Sequence, residues 1–340
     1  MNEKYLDAIA QAMVAKGKGI LAADESTGTM GKRLDSIGVK STEDNRRDYR
    51  EMLFVAKGAG EFISGAILYD ETLRQSGADG NSMVALLEAE NIIPGIKVDT
   101  GAKELAACGG EKVTEGLDGL RERLATYYEL GAQFTKWRAV ITIGDGLPSR
   151  TCIEANAHAL ARYAALAQEA NMVPIVEPEV LMDGGHTIER CREVSEETLE
   201  AVFAALQSQR VRLEGIVLKP NMIVSGGACE RQAGVDVVAD QTLEVLRRHV
   251  PTAVPGIAFL SGGQSEESAT QHLSAMNARG AQPWELTFSY GRALQQSALK
   301  AWGGATANVA AAQATYLHRA RMNSLARTGA WRPEMEKAAA

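Results

Sequence analysis

Lys219 closes the run Gly-Ile-Val-Leu at 215–218, four apolar or small residues in succession, and Pro220 follows it. An amine attacks a carbonyl only after shedding the proton that an ordinary lysine carries at neutral pH. Burial and a neighbouring cation both favour the uncharged form. Lys136 is the candidate cation, with Asp24 balancing the cluster. The plain alternative is a lysine that snorkels to solvent. Glu177 and Glu179, in Val-Glu-Pro-Glu, lie two residues apart and share one face of an extended segment. Two carboxylates on one face repel, which keeps a proton on one of them and suits it to proton transfer; a solvated acidic loop is the alternative. Carbon–carbon cleavage through a Schiff base needs several such transfers: dehydration of a carbinolamine, removal of a hydroxyl proton and protonation of an enamine.

Other residues suit an anionic substrate. Ser261-Gly262-Gly263 offers backbone N–H groups without Cβ obstruction, plus a hydroxyl. Gly291-Arg292 adds a planar, bidentate donor. Ser26, Thr29 and Arg33 follow Asp24 and open a predicted helix, another place where N–H groups gather an anion. The five histidines, at 158, 186, 249, 272 and 318, have no metal-ligand spacing, so no metal and no other cofactor is expected. Asp183-Gly184-Gly185-His186 reads as a structured turn. Cys108, Cys152, Cys191 and Cys229 are scattered, with no Cys-x-x-Cys pair or base partner, and read as buried thiols in a reducing compartment.

These residues need a frame, and the chain offers eight short apolar runs bounded by Gly, Pro or Asn: 19–24, 62–69, 93–99, 132–140, 172–180, 215–220, 256–262 and 285–291. Amphipathic or Ala/Glu/Leu-rich segments separate them, among them 151–171, 195–210 and the stretch of Val235, Val238, Ala239, Thr242 and Leu246. Strand alternating with helix implies parallel strands. Eight such units predict a (β/α)8 TIM barrel as a single domain over 1–340, with an N-terminal helix and a C-terminal helical extension and surface tail from about 304. A doubly wound sheet is the alternative, but no Gly-x-Gly-x-x-Gly opens a helix after the first run. Nearly every run carries its charged residue at the C-terminal end: Asp24, Lys97 with Asp99, Lys136 with Arg138, Glu177 with Glu179, and Lys219. Barrel active sites lie at that end.

Bulk properties narrow the partners. The 340 residues carry a formal net charge of -7, are 45% hydrophobic, and contain no dominant basic tract, which argues against nucleic acid. No run approaches the ~18 apolar residues of a membrane span, and the N-terminal stretch reads as an amphipathic helix rather than a signal peptide. A cytoplasmic enzyme is expected.

In order along the chain, GILAADES (19–26), GIKVD (95–99), KWR (136–138), VEPE (176–179), LKPNM (218–222), LSGG (260–263) and SYGRALQ (289–295) resemble class I fructose-bisphosphate aldolase. The resemblance runs from about residue 4 to 325. It implies a (β/α)8 barrel and reversible cleavage of a phosphorylated sugar, fructose 1,6-bisphosphate, into dihydroxyacetone phosphate and glyceraldehyde 3-phosphate. It implies Lys219 as the Schiff-base residue, Glu177 as the main proton carrier, Asp24 as the acid acting on the C4 hydroxyl, Lys136 as the cation beside the nucleophile and Glu179 as a supporting carboxylate. Arg33, Arg138, Ser261, Gly262, Gly263, Ser289, Gly291 and Arg292 match sugar- or phosphate-binding positions, and Lys97, Ser26 and Thr29 the other phosphate end. Members are usually homotetramers. One departure is that the chain ends in Glu-Lys-Ala-Ala-Ala, without the terminal tyrosine that assists proton exchange on the enamine in many members. A transaldolase-like transferase, an aldolase preferring fructose 1-phosphate and a non-catalytic binding role are the other readings.

Overall fold

Ten strands form, in chain order β1 (Gly19–Ala23), β2 (Ile63–Leu68), β3 (Ile93–Lys97), β4 (Gly101–Glu104), β5 (Lys112–Glu115), β6 (Phe134–Ile141), β7 (Val173–Val180), β8 (Val217–Leu218), β9 (Gly256–Phe259) and β10 (Glu285–Tyr290). In this computed structural model, which describes residues 1–339, eight of them close into a parallel barrel in the order β1-β10-β9-β8-β7-β6-β3-β2. All eight predicted runs supply a barrel strand. β4 and β5 pair separately as an antiparallel hairpin between β3 and the helix Leu120–Glu129, an element the sequence pattern did not suggest. The sixth run is strand only at Val217–Leu218, because Leu213–Gly215 coils into a 3-10 turn and Pro220 has no N–H to extend the ladder.

Period-two alternation builds the interior. Ile20 and Ala22 of β1, Phe134 of β6, Val173 and Ile175 of β7, Val217 of β8 and Ala258 of β9 form one buried cluster with the N-terminal helix Glu3–Met13. That helix plugs the floor with Leu6, Ala10 and Met13, all fully buried. Phe134 fills the middle: a Cβ on Gly95 would stand 2.2 Å from its ring, so β3 needs glycine there. Continuing each strand two residues at a time reaches the polar groups: Asp24 after Ile20 and Ala22, Lys136 and Arg138 after Phe134, Glu177 and Glu179 after Val173 and Ile175, Lys219 after Val217. The barrel is therefore apolar below and charged above. Trp137, Val176, Leu218, Phe259 and Phe288 point the other way, into the larger cluster beneath the outer helices.

Side-chain caps set where several helices start. Ser26, Thr42, Ser82, Ser149, Thr187 and Ser265 each accept a backbone N–H in the first turn of the helix that follows. The C-terminal stretch, expected as a surface tail, is exposed at Arg332, Pro333, Glu334 and Lys337 and is anchored at two points. After the helix Val309–Ala326, Trp331 is only 4% exposed, and its Nε1 donates to Glu336 Oε1 at 2.8 Å. Glu336 also accepts from Arg319 at 2.6 Å and lies 3.3 Å from His318. An apolar ring buried beside an ion pair holds this segment down.

Candidate active site

Lys219 Nζ stands 3.2 Å from Glu177 Oε1, and Lys136 Nζ stands 3.2 Å from Glu177 Oε2 and 2.8 Å from Asp24 Oδ2. Glu177 thus bridges two ammonium groups, and Asp24 sits behind the second. The lysines are 3% and 4% exposed. An unpaired charge so deep costs several kcal/mol, so two cations and two carboxylates must share the site. Burial by itself would protonate Asp24, but Lys136, Lys219 and Lys97 outweigh it and hold the carboxyl well below its usual range. Burial likewise opposes the charge on Lys136, and Asp24, Glu177 and Asp99 override it, pushing that ammonium's pKa well up. Asp24 and Lys136 are a fixed ion pair. Glu177 Oε2, though near Lys136, has no aligned hydrogen-bond donor among the described residues and keeps a free lone pair at the base of the pocket.

The expected repulsion between Glu177 and Glu179 does not organise the site. Glu179 pairs with Arg138 Nε, while Glu177 faces the lysines. In the parallel register Arg138 lies opposite Glu177 and Val140 opposite Glu179, so each carboxylate reaches a different cation on β6. Burial opposes the Arg138 charge, but Glu179 more than compensates and raises that pKa. On β3, Lys97 Nζ is 2.7 Å from Asp99 Oδ1 and donates to Asp99 O at 3.0 Å, while Asp99 Oδ2 accepts the Arg138 N–H at 3.2 Å.

Above this cluster opens a cavity of about 750 Å³, lined by every candidate site residue except Gly263. At one side, the N–H groups of Ser261 and Gly262 have no partner among the described residues, and the Ser289 hydroxyl is buried and unpartnered. The helix Arg292–Trp302 begins beside them with no side-chain cap. Unfilled N–H groups, a positive helix end and a guanidinium make an anion site. Gly263 was expected to join it, but its N–H is turned to Met182 Sδ, 3.0 Å away. Across the mouth, β3 stands diametrically opposite β9 in the strand order and carries Lys97; Ser26, Thr29 and Arg33 line the same cavity, Arg33 with its guanidinium beside Gly291. Ser26 caps the helix Thr27–Asp35, accepting from Thr29 N at 3.3 Å, and Arg33 pairs with Glu25. Glu25, Arg74, Arg123 and Tyr127 also line the cavity. The sequence held no signal for these four: they sit beyond strand ends or on helices, where period-two reasoning does not reach.

The family described as fructose-bisphosphate aldolase class-I matches residues 5–340. The chain belongs to this family. It is 56% identical over 333 residues to a probable fructose-bisphosphate aldolase class 1 of Xanthomonas axonopodis pv. citri, covering 98% of this chain and 100% of that one. It is 53% identical over 321 residues to the cytosolic fructose-bisphosphate aldolase 4 of Arabidopsis thaliana, covering 94% and 82%. Fructose-bisphosphate aldolase of Plasmodium falciparum superposes with a TM-score of 0.96 at 52% identity, covering 97% of this chain and 95% of that one. The aldolase is a lyase that reversibly cleaves fructose 1,6-bisphosphate through a Schiff base, without a metal. Among its described residues, no group of three or more His, Cys, Asp or Glu is placed to hold a metal ion, and no helix is long and apolar enough to cross a membrane.

Proposed function

We propose that Lys219 is the nucleophile of the aldolase, with Glu177 as its proton carrier and Asp24 as the base for the C4 hydroxyl. The observation that carries this is the bridging position of Glu177, 3.2 Å from both ammonium nitrogens. Lys219 gives one proton to Glu177, its freed Nζ attacks the C2 ketone, and Glu177 returns that proton so that the carbinolamine hydroxyl leaves as water. The C3–C4 bond then breaks, its electron pair flows into the iminium to give an enamine, and the C4 hydroxyl proton passes to a carboxylate. Asp24 is assigned that step because its ion pair with Lys136 keeps it in the ionised form that a base requires. The aldehyde product departs, the enamine is protonated at C3, and water releases the second product and restores the lysine. Glu179 acts as a support, holding Arg138 at the mouth.

The two anion-binding ends take the two phosphates. The end formed by Ser261, Gly262, Ser289, Gly291 and Arg292 takes one, and Ser26, Thr29 and Lys97, with Arg33 and Arg138 between the ends, the other. Their placement across one mouth supports preference for fructose 1,6-bisphosphate over fructose 1-phosphate. In steady-state assays, Lys97→Met lowers kcat/KM for the bisphosphate about tenfold or more, the scale of a charge-assisted contact, and leaves the monophosphate nearly unchanged. Equal losses on both substrates would refute the assignment. We further propose a cytoplasmic homotetramer. The cytosolic Arabidopsis relatives support the compartment, and the family resemblance supports the assembly; a monomer mass in light scattering would refute the latter.

A further inference from the structure

We propose that Met182 is a positioning residue for the turn at Ser261–Gly262, a reading that rests on that turn's taking a substrate phosphate. The turn is closed by Gln264 N donating to Ser261 O at 3.1 Å, and Gly262 adopts φ +58°, the left-handed region that glycine occupies without strain. A turn so rich in glycine does not hold itself. From below, Leu260 N donates to Pro220 O at 3.1 Å. From the side, Gly263 N donates to Met182 Sδ at 3.0 Å, and a Cβ built on Gly262 or Gly263 would stand 3.5 or 3.0 Å from the same sulfur.

Met182 is itself anchored. Its carbonyl accepts from Gly227 N at 2.7 Å, and Gly184 and His186 accept from Ala228 and Gly226 at 2.9 and 2.8 Å. The loop after β7 and the loop after β8 are stitched together by these bonds. They follow the strands that carry Glu177 and Lys219; the β7 loop meets the β9 turn through the Met182 thioether, and the β8 loop meets it through Pro220 O and Met222 Sδ. Gly263 N is occupied by sulfur, while Ser261 N and Gly262 N have no partner among the described residues and their residues line the cavity. The thioether is soft and flexible, so the contact can follow a small shift of the turn when an anion arrives. Met182 therefore governs how well the turn grips a phosphate, not the bond-breaking chemistry.

Met182→Leu keeps the apolar volume and removes the acceptor; Met182→Gln supplies a carbonyl acceptor on a side chain of similar length. Steady-state kinetics with fructose 1,6-bisphosphate, and competitive inhibition by inorganic phosphate, read the effect. For Met182→Leu, KM and the phosphate inhibition constant both rise about fivefold, the net worth of one hydrogen bond, with kcat within about twofold of the parent. Met182→Gln stays near the parent. An unchanged KM and unchanged phosphate inhibition in Met182→Leu, or a fall in kcat with KM unchanged, overturns the role of Met182. Arg292→Ala separates the two readings: if it weakens phosphate binding while Met182→Leu does not, only the methionine's role falls. If neither variant weakens it, the phosphate reading of the turn falls as well.

Discussion

Glu177 reaches both ammonium groups because it stands two residues beyond Ile175, whose side chain is in the barrel floor, while Lys136 and Lys219 rise from the neighbouring strands β6 and β8. A carboxylate in that position can exchange a proton with either side of a bound substrate without moving. Glu177→Gln keeps the shape and removes the titratable oxygen. It is expected to lower kcat by roughly 10²- to 10⁴-fold, the usual worth of positioned acid–base catalysis, while the protein stays folded; turnover near the parent rate would exclude the role. The side chains that gather at the barrel mouth were legible because each closes an apolar run, and alternation alone then places Glu177 and Lys219 on the inward face. Their pairing was not. That Glu179 turns to Arg138 and leaves Glu177 to the lysines depends on the register between β6 and β7, and a single strand's sequence does not encode it.

At the scale of elements, all eight barrel strands were readable from short Ile/Val-rich runs ended by Gly, Pro or Asn. The β4–β5 hairpin was not, since Gly101–Glu104 and Lys112–Glu115 carry charges on exposed positions and lack an apolar face. The helix Glu266–Ala278 illustrates how an element tied to the Ser261–Gln264 turn responds to pH. His272 Nδ1 lies 2.6 Å from Gln264 Oε1, and Gln264 Nε2 is turned to Met222 Sδ, so the imidazole donates. Burial lowers the His272 pKa to about 4. In the unfolded chain the ring takes its proton near the ordinary value of ~6.5. Between these limits the unfolded state binds more protons, so stability rises with pH across the window and is lost on acidification from ~6.5 towards 4. Denaturant melts of a His272→Gln variant are expected to show a flatter dependence over that range. A dependence as steep as the parent's would remove His272 as its source.

Over the whole molecule, the two ends of the barrel do different work. The floor is packed by Leu6, Ala10 and Met13 of the N-terminal helix, which bury apolar surface below Lys219, the proposed nucleophile. The mouth carries the charges, and the cavity there reaches solvent. The C-terminal segment, expected as a surface tail, is fixed by Trp331 and Glu336; the sequence displayed the ring and the acid but not their partners, Arg319 and His318, on the preceding helix. The cavity at the mouth reaches both Glu177 and Lys219, and on the proposed assignment the ketose enters there. The most direct test is covalent. Incubation with dihydroxyacetone phosphate and borohydride, followed by peptide mass spectrometry, is predicted to place a reduced adduct on Lys219 and to abolish activity in proportion to labelling. Full labelling of another lysine, or inactivation with Lys219 unmodified, would contradict the account.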